Sequence, residues 1–147
     1  MITLRPSVEK ELNVFAKMEL QVHANRFVNA TNLESHRSSF KNPNIIYLSI
    51  ENIEGKVSGY FILVVETDTE SVEFHRIVID ENCRGIGQAA IREMENYCRS
   101  VLSAKRIWLD VYEDNVVGKH IYEKLDYKKF KERKCDGRKL LFYQKVL

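Results

Sequence analysis

Proline is scarce in this chain. There are two, Pro6 and Pro43, and both fall where an element is expected to begin or end. Cysteine is scarce as well: Cys83, Cys98 and Cys135 are odd in number and show neither a CxxC pair nor Cys/His ligand spacing. That argues against a disulfide framework and against a zinc site. An excess of one charge is also missing, since 23 basic and 21 acidic residues leave a net +2. A phosphate-binding surface for nucleic acid needs concentrated positive charge, so nucleic acid is not the expected partner. No segment approaches the length of a membrane span, and no N-terminal apolar run resembles a signal peptide, so the cytoplasm is the expected location.

At 147 residues the chain fits one domain, 1–147, with a core of its own. Residues 2–5 read as a short strand. Ser7 reads as the N-cap of a helix reaching about Leu20, with Val8, Leu12, Phe15 and Met18 or Glu19 at helical spacing. Residues 21–30 are ambiguous. Thr31 and Asn32 signal a second helix that runs to about Phe40 and stops before Pro43. Strands follow at 45–51, 57–66 and 72–79, joined as an antiparallel meander. A long helix over 86–102 places Ile86, Ala90, Met94, Tyr97, Cys98 and Val101 on one stripe and leaves Arg92, Glu93, Glu95 and Arg99 for solvent. A strand at 106–112, a helix at 115–125 and a hairpin of 127–132 with 139–146 across Asp136-Gly137 complete the pattern. The lysines and arginines at 128, 129, 131, 133, 134, 138 and 139 suit a solvated sheet edge, with a docking surface for a phosphate or acidic substrate as the second reading. The whole is an α/β domain with a mixed sheet.

The chain is organised around residues 72–102. A buried strand runs through a polar loop into Arg84-Gly85-Ile86-Gly87-Gln88-Ala89, where the long helix must begin. First-turn amides of a helix lack partners within it, and the macrodipole adds positive potential there. A strand that delivers glycines to such a terminus makes a pyrophosphate cradle. The crossover from 72–79 through the helix to 106–112 is a βαβ unit, whose strands should be parallel and whose ligands bind at the strands' carboxyl ends. Other nucleotide motifs fit less well. GxxxxGK[ST] is absent, and Gly85-Ile86-Gly87 supplies only half of GxGxxG.

These residues resemble the GNAT superfamily of N-acetyltransferases. Arg84, Gly87 and Ala89 match its coenzyme A signature, an Arg or Gln, then a Gly three on, then a Gly or Ala. Asn115, Gly118, Tyr122 and Asp126-Tyr127 match a second signature, with Gly118 where Ala is usual and Asp126 where Gly is usual. Residues 73–79 and 108–111 look like the family's fourth and fifth strands, so the likeness covers nearly the whole chain in order. The resemblance implies a single GNAT-like domain of about six to seven strands and about four helices, with the fourth and fifth strands splayed. It implies acetyl-CoA as co-substrate, no metal, and an amine acceptor as partner, and it leaves room for a homodimer. The acyl-pantetheine arm would lie along the backbone of Ile77, Val78 and Ile79, and the phosphates against Arg84, Gly85, Ile86, Gly87, Gln88 and Ala89.

Acetyl transfer to an amine poses two proton problems. An amine with a pKa of about 10 must lose a proton before it attacks. The departing thiol must gain one or leave as thiolate, and the carbonyl oxygen needs a donor. By resemblance Tyr122 is the candidate general acid, against a reading as a core aromatic beside Val117, Ile121 and Leu125. Glu73 is the candidate base, direct or through water, against a strand acid paired to Arg76 or His75. Asp110 is the rival base, since a carboxylate in a closed cleft has its pKa raised. Asn115 contacts pantetheine or caps the next helix, and Lys119 reaches a phosphate or stays solvated. His75 and His120 read as structural. His23 and His36 lie in the N-terminal helices that shape the acceptor pocket in relatives. A coenzyme A-binding sensor or interaction module without catalysis is the alternative.

Overall fold

The computed structural model describes residues 2–21, 24, 30–83 and 85–147, so His23 and Arg84 lie outside the described residues. Seven strands form one sheet: β1 (Thr3–Pro6), β2 (Ile45–Glu51), β3 (Val57–Glu66), β4 (Ser71–Ile79), β5 (Arg106–Tyr112), β6 (Lys128–Cys135) and β7 (Arg138–Val146). Their order is β1-β2-β3-β4-β5-β7-β6. Every neighbouring pair is antiparallel except β4 with β5, which are parallel. Among the described residues, the α-helices with full bounds are α1 (Leu12–Met18), α2 (Leu33–Phe40), α3 (Gly87–Ser100) and α4 (Val116–Lys124).

The central strands are apolar on both faces because helices cover both. Tyr47, Tyr60, Ile62 and Val78 face α1 and its Leu12, Phe15 and Met18. The alternate residues Leu48, Phe61, Leu63 and Phe74 pack with Ala90, Ile91, Met94 and Cys98 of α3. β6 is an edge strand, exposed along nearly its whole length, and carries Lys128, Lys129, Lys131, Arg133 and Lys134. The edge reading of those cations therefore holds.

Three local expectations change. Ser7 does not cap a helix, because its hydroxyl is hydrogen-bonded to Ser49 at 2.7 Å. A 3-10 turn at Glu9–Glu11 precedes α1 instead, and Glu11 accepts from the Val8 amide at 2.9 Å, one residue later than the expected cap. Asn32 does cap α2, accepting from the Ser35 amide at 2.8 Å. On α3, Val101 is exposed while Glu95, expected in solvent, is buried. Glu95 accepts from Tyr127 Oη at 2.8 Å and Lys145 Nζ at 3.1 Å, so two long side chains from other elements carry its charge into the core edge.

Candidate active site

The parallel pairing of β4 with β5 covers only Ser71↔Arg106, Val72↔Ile107 and Glu73↔Trp108. Both strands continue past it, to Ile79 and Tyr112. The cause lies on the other side of β4. The β3–β4 register shifts between Ile62, which faces Arg76, and Leu63, which faces Phe74. His75 is thus the extra residue of a β-bulge, which bends its strand and adds twist. β4 stays with β3 and parts from β5, leaving a cleft of about 540 Å³ walled by Phe74, Ile77, Ile79, Asp110, Asn115 and Tyr122, among others.

The bulge also exchanges the two faces. Simple alternation puts Glu73, His75 and Ile77 together. Instead Ile77 and Ile79 join Phe74 on the α3 side, while Val78 belongs to the α1 side, opposite Tyr60. A period-2 count cannot see a bulge, and each one reverses everything after it.

At the carboxyl end of β4 the chain turns through Gly85, whose φ of 101° a side chain would strain. α3 then starts with no side-chain cap at Ile86 and no acidic residue in its first turn. The first helical bond runs from the Ala90 amide to the Ile86 carbonyl at 2.9 Å. The amides of Gly87, Gln88 and Ala89 therefore stand ahead of the hydrogen-bonded ladder with the dipole unneutralised. This is the anion-binding geometry expected of the turn.

Two of the proton-bearing groups, Tyr122 and Asp110, line the cleft. Tyr122, on α4, is half-buried, with its ring edge-on to Phe74 at 5.8 Å and Tyr127 at 6.0 Å. Burial first, and the Asp110 charge second, push its phenol up to about 12, so it keeps its proton at neutral pH. Asn115 caps α4, accepting from the Gly118 amide at 2.9 Å, and also lines the cleft. Asp110 lies on the cleft rim. Desolvation and then the Glu73 charge raise its carboxyl above the usual range, against the pull of His75 and Arg133. Glu73 is not part of the cleft wall; it lines a neighbouring cavity of about 180 Å³ under α2. His75 Nδ1 lies 2.9 Å from Glu73 Oε2, and His75 lines both cavities.

A buried polar network beside this site has no counterpart in the sequence reading. Glu19, at the end of α1, is fully buried. It accepts from the Thr31 amide at 2.8 Å, from Arg76 Nη1 at 2.7 Å and from Tyr60 Oη, and lies 3.1 Å from His36 Nε2. Burial pushes its carboxyl up, but His36, Tyr60, Thr31 and Arg76 outweigh that and hold it at about 2. His36 is itself fully buried with Nδ1 2.6 Å from Tyr47 Oη, so both ring nitrogens are occupied within the network. Arg76, the residue after the bulge, also donates to Thr31 Oγ1 at 2.9 Å. The network therefore ties β4 to α1 beside its bend. The available signal was a charged residue in the apolar stripe of α1.

Comparison with known proteins agrees with this geometry. Residues 15–127 match the model of a family described as the acetyltransferase (GNAT) family. An uncharacterized N-acetyltransferase of Methanocaldococcus jannaschii is 29% identical over 88 residues, which is 58% of this chain and 54% of the relative. The match thus spans about half of that relative's length. Among solved structures, the spermidine N-acetyltransferase of Vibrio cholerae in complex with CoA and spermine superposes with a TM-score of 0.84 at 15% identity, covering 99% of this chain and 95% of that one. A dodecameric form of the same enzyme gives 0.80 at 15% identity, with 99% and 93% covered. At such identities the likeness is one of fold.

Proposed function

Because the chain belongs to the acetyltransferase (GNAT) family, we propose that it transfers an acetyl group from acetyl-CoA to a primary amine by direct attack. The observation that carries this reading is the cleft itself: β4 and β5 separate beyond Glu73↔Trp108, with Tyr122, Asp110 and His75 along its wall, and β4 leads on to the uncapped start of α3. The phosphates of the donor rest on the first turn of α3, with Gly85 to Ala89 and, by its sequence position, Arg84 around them. The pantetheine arm follows β4 over Ile77, Val78 and Ile79, and Asn115 borders it. A backbone amide of β4 donates to the carbonyl oxygen as charge gathers there. Tyr122 gives its proton to the departing sulfur; its phenol is protonated at neutral pH and so can donate. The amine proton is taken at the rim, where Glu73 and Asp110 supply carboxylate charge.

That charge suits an acceptor arriving as an ammonium ion. The test is release of free thiol from acetyl-CoA in the presence of a panel of amines: polyamines, amino acid amides, aminated sugars and peptides with free N-termini or lysines. Acceleration by at least one class is expected. Release no faster than buffer with every amine, while coenzyme A still binds, would leave a coenzyme A-binding module in its place. We further propose a homodimer as the assembled form; light scattering that reports the mass of one chain would sink that part alone.

A further inference from the structure

We infer that His75 is the residue that takes the amine proton, and that Glu73 acts through it as the orienting carboxylate. The inference rests on the proposed transfer and assigns its base. Three observations meet at one place. Glu73 does not reach the cleft wall, whereas His75 does. His75 is the bulge residue of β4, with no partner on β3, so the ladder leaves its side chain, 46% exposed, at the junction of the two cavities. Its Nδ1 lies 2.9 Å from Glu73 Oε2.

The chemistry of that contact decides the tautomer. A carboxylate oxygen can only accept, so Nδ1 carries the hydrogen and Nε2 keeps its lone pair. Histidine is the side chain that most often serves as a general base. A neighbouring carboxylate that holds the ring stabilises the imidazolium formed when Nε2 takes a proton, which is the role of the orienting acid in other base pairs. The charged groups around the ring are Glu73 and Arg76 of β4, Asp110 of β5 and Arg133 of β6. Arg76 is drawn off by its 2.7 Å contact to Glu19 Oε2, which leaves carboxylates from two strands and the Arg133 guanidinium near the imidazole.

The protons balance. The acceptor arrives as R–NH3⁺. His75 Nε2 takes one proton, passes it to water, and is ready again. The free amine's electron pair forms the N–C bond to the thioester carbonyl carbon. As the carbonyl re-forms, the C–S bond breaks and its electron pair leaves on sulfur. Tyr122 protonates that sulfur, and the proton lost from the amide nitrogen through His75 makes good the phenol's loss by way of solvent. The products are R–NH–COCH3, coenzyme A thiol and one proton released.

The deciding experiment is the pH dependence of kcat/KM with the best acceptor from the panel, for wild type, His75→Gln, Glu73→Gln and Asp110→Asn. His75→Gln is expected to lose about 100-fold, as for removal of a general base, and to lose the acid limb of the profile, with the dissociation constant of coenzyme A unchanged. Glu73→Gln is expected to lose about 10-fold and to keep the limb, because the ring remains but is no longer oriented. A limb that survives in His75→Gln and vanishes in Glu73→Gln or Asp110→Asn overturns the assignment. A second readout needs no turnover. Nitrogen-15 shifts of the His75 ring in the wild-type protein should show hydrogen on Nδ1 in the neutral form, and hydrogen on Nε2 would refute the pair. Wild-type protein inactive with every amine overturns the transfer reading as a whole, and is told apart from failure of the base role by the wild-type rate alone.

Discussion

Glu19 and Tyr122 show how a single residue divides structure from chemistry. Removing Glu19 leaves the Arg76 guanidinium, 14% exposed, without its carboxylate. Breaking a buried pair from one side costs about 3–5 kcal/mol, so Glu19→Ala should lower the denaturant midpoint sharply without a change in slope. The same residue sets an acid limit. Its carboxyl sits at about 2 in the fold against 4.5 unfolded, so its stabilisation is complete above pH 4.5 and drains away as the pH falls toward 2. Urea unfolding across that interval should show the loss, and Glu19→Gln should flatten it. Tyr122→Phe tests the other role. The ring contacts to Phe74 and Tyr127 survive the change, and kcat should fall by about 100-fold or more with coenzyme A affinity kept. An unaltered kcat would end the acid assignment. Tyr122 could be singled out as a candidate because it lies in a motif. Glu19 could not, because its four partners come from residues 31, 36, 60 and 76, far apart in the chain.

Among the elements, α3 and β4 carry the proposed donor site. Ala89 is exposed in the first turn of α3, where no acid is present. Ala89→Glu should have two opposite effects. An acid at a helix N-terminus adds about 0.3–1 kcal/mol of stability, yet it places a negative charge where the phosphates belong. A raised melting temperature with weakened coenzyme A binding is expected; unimpaired binding would move the cradle elsewhere. Gly59 guards the other element. It pairs with Ile79, and a Cβ there would collide with the Val78 carbonyl oxygen. Gly59→Ala must shift β4 along the cleft wall, so KM for acetyl-CoA should rise and stability should drop together. A variant with native KM would show that β4 can yield without closing the cleft. The helix start was readable from glycines and periodicity. The bulge at His75 was not read, although alternation in Val72 to Ile79 breaks at the adjacent polar pair His75 and Arg76.

For the whole molecule, two clusters on opposite faces of one sheet fix the strands that wall the cleft. Coenzyme A should therefore bind the folded chain alone and stabilise it, by about 2.7 kcal/mol at a hundredfold excess over the dissociation constant. Calorimetric melting with and without coenzyme A checks this, and Ala89→Glu should abolish the shift. No shift at saturating ligand would argue that the cradle is not formed in the free protein. The sequence by itself determined the order of elements, the parallel crossover, the family and the glycine-bearing helix start, because these depend on residues near one another along the chain. Only the tertiary structure decided which side of β4 each residue faces, where β4 leaves β5, that Glu73 stands off the cleft behind His75, and that Glu19 is buried among four donors. Those outcomes depend on strand register and on contacts between distant segments, and neither is written in local periodicity.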